Sequence, residues 1–288
     1  MTGLRAALGL ALLFLVLIAA RAFAAGTTAR IEVPIYQRQL PDGTIRYWVS
    51  VRVGGSAPIA AMLDTGSFGL RVLQSALSPS DYQDTGIERR LAYGSGVALH
   101  GPLATAVIQI GDATSETPIT FQLVRSVGCI PRKPDCPAAR VSPEDYRIGG
   151  NGLPGQGFEA ILGLSLRRPR VAMAALNPLD LIGAQQWIVV LPLPGAADPG
   201  RLIINPAPQD LDGFRSAQVA PPPIHRPGMV RMIDPNCPAG EEAQTEACEP
   251  VKLDSGAGDG LKPYYSFAVF YDARSGAIGV KPRADAGR

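Results

Sequence analysis

Charge is scarce in this 288-residue chain: Asp, Glu, Lys and Arg make up 18% of it and the formal net charge is +2. No block of one sign stands out except Arg167-Arg168-Pro169-Arg170, which reads as a solvated loop. A nucleic-acid-binding surface is therefore not expected. Histidine is scarcer still: His100 and His225 are the only two, and neither has metal-ligating neighbours. The four cysteines are spaced too widely for a zinc site, so no metal and no cofactor are expected. Long hydrophobic runs are also lacking. Only Ala6 to Ala20 is almost wholly apolar, and about fifteen residues fall short of the ~20 needed to span a bilayer.

That one run sits where a targeting signal belongs. Met1 to Arg5 is a short basic start, and Ala22-Phe23-Ala24 offers a small-x-small cleavage site. Residues 1–24 thus read as a secretory signal peptide, with an uncleaved anchor as the weaker alternative. The expected location is periplasmic or secreted, with no membrane contact after cleavage. What remains, 25–288, is enough for two lobes or one large β domain. With 32 glycines and 27 prolines, plus frequent Val and Ile, many short strands joined by turns are expected rather than helices. In an oxidising compartment the cysteines should pair. Of the three possible connectivities, the local one, Cys129–Cys136 with Cys237–Cys248, is favoured because each pair spans a Pro-rich or polar loop.

The chemistry-bearing stretch is Ala61-Met62-Leu63-Asp64-Thr65-Gly66-Ser67-Phe68-Gly69-Leu70-Arg71-Val72. Here an acid ends an apolar run, followed by a hydroxyl, a glycine and a second hydroxyl. A carboxylate at the mouth of a buried strand is costly unless its oxygens are hydrogen-bonded. Thr65, Gly66 and Ser67 offer that relief, Gly66 by letting the chain turn tightly. The chain also holds a control. Asp84-Thr85-Gly86 repeats the tripeptide without apolar flanks and reads as a surface turn.

In order along the chain, Ile31–Tyr36, Tyr47–Val53 and Ile59–Leu63 read as strands, the last delivering Asp64. Leu70–Leu73 is a further apolar segment, followed by a polar link to about Arg90. Tyr93-Gly94-Ser95-Gly96 suits a flexible hairpin tip, and Phe158–Leu164 a buried strand closed by glycine. Asn177–Gln186, with Pro178 near its start, is the best helix candidate. Trp187–Pro192 and Arg201–Ile204 are expected strands. After the short apolar Val251-Lys252-Leu253 comes a second acid-hydroxyl-glycine stretch, Asp254-Ser255-Gly256-Ala257.

Two such loops suggest one acid from each of two lobes. If the carboxyls meet, both cannot ionise, and one keeps the proton. The ionised member can deprotonate a water while the protonated one polarises an amide carbonyl.

In this order the motifs resemble those of pepsin-type aspartic peptidases, as in a divergent exported bacterial member. Asp64-Thr65-Gly66-Ser67 resembles the first catalytic loop. Tyr93 and Gly94 resemble the flap tip, and Phe158–Leu164 the apolar segment behind the loop. Trp187–Ile204 resembles the strands linking the lobes. Asp254, Ser255 and Gly256 resemble the second loop, with Ser for the usual Thr, and Tyr264–Val280 the closing strand pair. The resemblance implies an all-β, bilobal fold with few short helices. Residues 25–185 would form the N-terminal lobe and 186–288 a shortened C-terminal lobe. It also implies an endopeptidase with catalytic Asp64 and Asp254, acting as a monomer on polypeptide held in the inter-lobe cleft.

The chain departs from the family in its tail. Only Ser255 to Arg288 follow the second acid, far less than the family carries, and a second apolar-apolar-Gly segment is missing. That leaves two further expectations open. One is an inactive peptide- or protein-binding module; the other is a single-lobe enzyme that dimerises through two copies of Asp64.

Overall fold

The computed structural model describes residues 29–166, 177–217, 219–220, 230–232, 251–256 and 260–286. The expected signal peptide, the 167–170 loop and the Cys237–Cys248 pair lie outside them. Among the described residues the chain is all-β with two short α-helices. No helix among these residues is long and apolar enough to cross a membrane.

The strands fall first into a long run: β1 (Ile31–Gln39), β2 (Ile45–Val53), β3 (Ile59–Asp64), β4 (Phe68–Leu73), β5 (Gln83–Ala92) and β6 (Val97–Ala106). Then come β7 (Ile108–Ile110), β8 (Ala113–Thr114), β9 (Ile119–Val124), β10 (Ser126–Cys129) and β11 (Ala160–Leu164). Helix α1 (Pro178–Leu181) precedes β12 (Gln186–Val190), β13 (Gly200–Ile204), β14 (Arg215–Ala217), β15 (Val219–Ala220), β16 (Val230–Met232) and β17 (Val251–Leu253). Helix α2 (Lys262–Ser266), β18 (Phe267–Asp272) and β19 (Ala277–Pro282) complete the order.

One extended sheet runs β10-β6-β9-β4-β11-β3-β2-β1-β13-β12-β18-β19-β14, and β15-β16-β17 form a small second sheet. Strand β1 serves both halves of the large one: Ile31–Ile35 pair with β13 and Tyr36–Gln39 with β2. Alternation follows the pleat. In β2, Tyr47, Val49, Val51 and Val53 are buried while the residues between them are less so. Each fully buried Val side chain contributes roughly 1.5–3 kcal/mol. Strand β18 alternates in the same way, and Tyr271 stacks on Trp187 at 5.7 Å between ring centroids.

The all-apolar β11 explains the geometry around Asp64. It inserts between β3 and β4, parallel to the first and antiparallel to the second. All five of its residues are buried, as a central strand covered on both faces requires. Its Gly163 sits in register with both Asp64 and Gly69. A Cβ there would lie 2.7 Å from the Phe68 backbone, so glycine is what lets the strand pass. Phe158–Leu164 was expected to be buried strand, and its β11 portion is.

Two expectations need correction. The polar link before Arg90 contains a ten-residue strand, β5, paired to β6. It carries no buried residue and draws its order from ladder hydrogen bonds, so no apolar pattern announced it. Asp84-Thr85-Gly86 is exposed, as expected, but it forms a bulge in this strand, where the register shifts between Asp84 and Glu88. The helix expected over Asn177–Gln186 is a single turn. Asn177 caps it, its side chain accepting from Leu179 N at 2.9 Å, and Gly183 at φ +84° ends it.

The β5–β6 hairpin tip is Tyr93-Gly94-Ser95-Gly96, closed by Tyr93 N to Val97 O at 2.8 Å and Gly96 N to Tyr93 O at 3.0 Å. The Cys129–Cys136 disulfide is formed, with a Cα–Cα distance of 5.6 Å. Its loop backs the tip: Ile130 N donates to Gly96 O at 2.8 Å, and Lys133 Nζ to Gly94 O at 2.6 Å.

Candidate active site

Strand β3 ends at Asp64 and strand β17 ends just before Asp254. Leu63 and Leu253, the residues preceding the two acids, are fully buried. In each loop the glycine two residues on donates back to its own aspartate. Gly66 N lies 2.8 Å from Asp64 Oδ1, and Gly256 N 2.9 Å from Asp254 Oδ1.

The loops then lock into each other. Thr65 N donates to Ser255 Oγ at 3.0 Å, and Ser255 N donates to Thr65 Oγ1 at 3.0 Å. Both residues are buried, so these exchanged bonds satisfy donors that water cannot reach. The glycines interlock as well. A Cβ on Gly66 would meet Asp254 Cγ at 2.5 Å, and one on Gly256 would meet Asp64 Cγ at 2.8 Å. Each carboxyl thus rests on the other loop's glycine.

The hydroxyls spend their remaining capacity differently. Ser255 Oγ donates to Leu63 O at 2.8 Å. Thr65 Oγ1 instead exchanges a 2.6 Å hydrogen bond with Tyr264 OH, which in turn bonds Tyr271 OH. Burial pushes both phenols well above their ordinary value, so they stay protonated. The second loop is braced from its own side by Asp254 N donating to Gly260 O at 3.2 Å. Gly260 must be glycine, because a Cβ would sit 2.5 Å from that of Asp254.

The two acids have different surroundings. Asp64 is 6% exposed. Burial first, and the neighbouring Asp254 charge second, push its carboxyl up to about 7. Ser67 lies close enough to favour the charged form of Asp64, although the geometry falls short of a hydrogen bond. Asp254 has a different neighbour: Lys252 Nζ sits 2.7 Å from Asp254 Oδ2. On β2, Arg46 feels both acids, and burial draws its guanidinium below the ordinary value while Asp42, Asp254 and Asp64 oppose this.

Tyr93 lies near this centre. Its hydroxyl is buried beside Arg71, and burial pushes it up to about 12, with the Asp64 charge adding to the effect. Gly94 is exposed at the tip. Asp64, Thr65, Gly66, Ser255, Gly256 and Asp254 therefore come together, with Ser67 and Tyr93 alongside. Among the described residues no group of three or more His, Cys, Asp or Glu could hold a metal ion.

Sequence reading missed Lys252, Gly260, Tyr264 and Tyr271 as members of the site. Lys252 carried a signal, since it stands two residues before the acid. The tyrosines carried none, because α2 and β18 reach Thr65 only through the fold. No family model matches the chain, and no curated protein matches it.

Proposed function

We propose that the chain is an exported aspartic endopeptidase, a divergent relative of the pepsin type, hydrolysing peptide bonds with a water activated between Asp64 and Asp254. The observation that supports this is the reciprocal locking of the two loops, which sets both carboxyls against each other within one chain. At acid pH Asp64 holds the shared proton. Asp254 takes a proton from the water as its oxygen attacks the amide carbon, and Asp64 gives its own to the carbonyl oxygen. As the gem-diol collapses, Asp254 returns its proton to the leaving nitrogen, the C–N bond breaks, and Asp64 recovers a proton from a gem-diol hydroxyl.

In this reading residues 25–185 and 186–288 act as two lobes with the substrate extended between them, and the β5–β6 hairpin closes over it by strand-like pairing. A monomer suffices. Asp254 already occupies the place against Gly66 that a second Asp64 would need in a dimer. Gly260 and the tyrosine pair brace the interlocked loops. Signal-directed export then places the enzyme in the periplasm or outside the cell.

The test is cleavage of denatured protein at about pH 3–6, where a carboxylate dyad works. Wild-type chain should cleave, and Asp64→Asn and Asp254→Asn should each lose activity. Loss in Asp64→Asn alone would point to the dimer. Absence of cleavage, with no binding of a transition-state-mimicking peptide, would sink the peptidase reading.

A further inference from the structure

We infer that Lys252 is a positioning residue of the dyad: its ammonium on Asp254 Oδ2 holds Asp254 as the ionised member and leaves the shared proton on Asp64. The catalytic consequence rests on the peptidase reading above, but the geometry does not.

Lys252 lies in β17 and Asp254 follows its last residue, the two flanking the buried Leu253. Nζ lies 2.7 Å from Oδ2, and the two side chains are 16% and 14% exposed. Solvent therefore screens this pair less than an ordinary surface ion pair. The two oxygens of Asp254 are divided between donors, Oδ1 taking the Gly256 N–H and Oδ2 the ammonium.

The two loops differ in what stands beside each acid. Three residues after Asp64 stands Ser67, a neutral hydroxyl beside the carboxyl. Three residues after Asp254 stands Ala257, which has no hydroxyl. A cation two residues before the acid supplies a donor to this carboxyl, and a charge-assisted hydrogen bond is roughly twice as strong as a neutral one. The two acids are thereby unequal by construction.

Other groups facing Asp254 do not cancel this bias. Asp64 on β3 is the other half of the pair. Tyr264 on α2 and Tyr271 on β18 feel the Asp254 charge but stay neutral. Arg46 on β2, whose Nε donates to Gly149 O at 3.3 Å, acts on both carboxyls through space. Among the described residues, Lys252 is the cation in direct contact.

The consequence lies on the acid side of the pH profile. Water activation stops when Asp254 takes up a proton, and a bound cation opposes that uptake. Removing the cation makes uptake of the pair's second proton easier, so the acid limb moves to higher pH. The alkaline limb, set by loss of the Asp64 proton, moves less because Asp64 has no such contact with Nζ.

The experiment compares wild-type chain with Lys252→Met, Lys252→Gln and Lys252→Arg. Two readouts are taken: kcat/KM against pH, and the ¹³C carboxyl titration of the aspartate pair. Met and Gln should raise both the acid limb and the pair's lower titration step by about one to three pH units, the range for an adjacent opposite charge. Arg should restore both. Gln keeps the length of a polar side chain, so it carries the test if Met unfolds the site. A lower titration step that does not move in the neutral variants overturns the inference. So does a neutral variant faster than wild type at every pH, because Lys252 would then be a plug on Oδ2. A shifted titration in a chain that cleaves nothing upholds the role of Lys252 and sinks the peptidase reading alone.

Discussion

The chain contains Asp-Thr-Gly twice, and in both copies the glycine N–H bonds back to its own aspartate. Gly66 N lies 2.8 Å from Asp64 Oδ1, and Gly86 N lies 2.8 Å from Asp84 Oδ1. Their chemistry is nonetheless opposite. Asp64 is buried and its carboxyl is pushed up to about 7. Asp84 sits in a bulge at 32% side-chain exposure, paired with Arg125. The Gly86 N–H, and then Arg125, draw its carboxyl below the ordinary value. The tripeptide therefore specifies a glycine-to-carboxylate hydrogen bond, and the surroundings specify the acid. Around Asp64 those surroundings are an apolar strand before it, β11 behind it and the Asp254 loop in front.

Exchanging one residue at a time in both copies sharpens the contrast. The largest effect is expected from the acids. In a cleavage assay Asp64→Asn should lower kcat by about 10²–10⁴, the usual share of a general acid or base, while Asp84→Asn should leave it unchanged. Equal losses in both would break the comparison. The glycines should split in a crossed way. Gly66→Ala puts a Cβ 2.5 Å from Asp254 Cγ, displacing a carboxyl and costing about 10²-fold in kcat/KM. Gly86→Ala meets nothing within 4 Å but sits at φ +70°. It should cost roughly 1–2 kcal/mol of stability in denaturant unfolding and no activity.

The Asp64 burial also predicts a pH dependence of stability. The folded chain raises this carboxyl from 3.8 to about 7. Between those values the folded state binds the proton more tightly than the unfolded state, so this group's contribution falls as pH rises through the window. At about pH 8 the wild type carries a cost on the order of a few kcal/mol that Asn would not. Asp64→Asn should therefore melt several degrees above wild type there, at roughly 2–4 °C per kcal/mol. The gap should close toward about pH 3.5, below the ordinary carboxylate value. Asp84→Asn should show no such gain at high pH, because its carboxyl is shifted the other way. A gap that widens as pH falls would contradict the burial of Asp64.

How much of this could be read in advance follows from how local each signal is. The first loop was legible because its apolar flanks, hydroxyls and glycine are neighbours in sequence. The Tyr93–Gly96 tip was legible for the same reason. Strand β5 was not, since an exposed edge strand needs no apolar face and takes its order from β6. Helix α1 was overread because Pro178 marks a helix start, while Gly183 at φ +84° ends it after one turn. The second loop was expected to lack support on account of its short tail. Its supports are Gly260, in a segment with no pattern, and Tyr264, whose hydroxyl reaches Thr65 from 199 residues away. Such contacts belong to the fold and leave no trace in local spacing.

The smallest difference should come from the middle residue of each copy. Thr65 Oγ1 accepts from Ser255 N and bonds Tyr264 OH, all of them buried. Thr85 Oγ1 donates to Leu103 O at 2.8 Å in a half-exposed place. Valine keeps the shape of threonine and removes the hydroxyl. At position 65 it orphans the buried Ser255 N–H and leaves Tyr264 OH with Tyr271 OH alone, at about 1–3 kcal/mol for the desolvated groups. At position 85 water can take over the freed carbonyl, and surface changes of this kind stay within roughly 0.5 kcal/mol. The decisive measurement is the coupling between positions 65 and 255. In a double-mutant cycle of Thr65→Val with Ser255→Ala, each change removes one exchanged bond and frees the backbone N–H at the other position; losing either bond loosens the loops and admits water to the other N–H, so the pair should be less destabilised than the sum of the singles by about 0.5–3 kcal/mol. Additive effects would mean that the two loops are held together by packing around them rather than by the bonds they exchange.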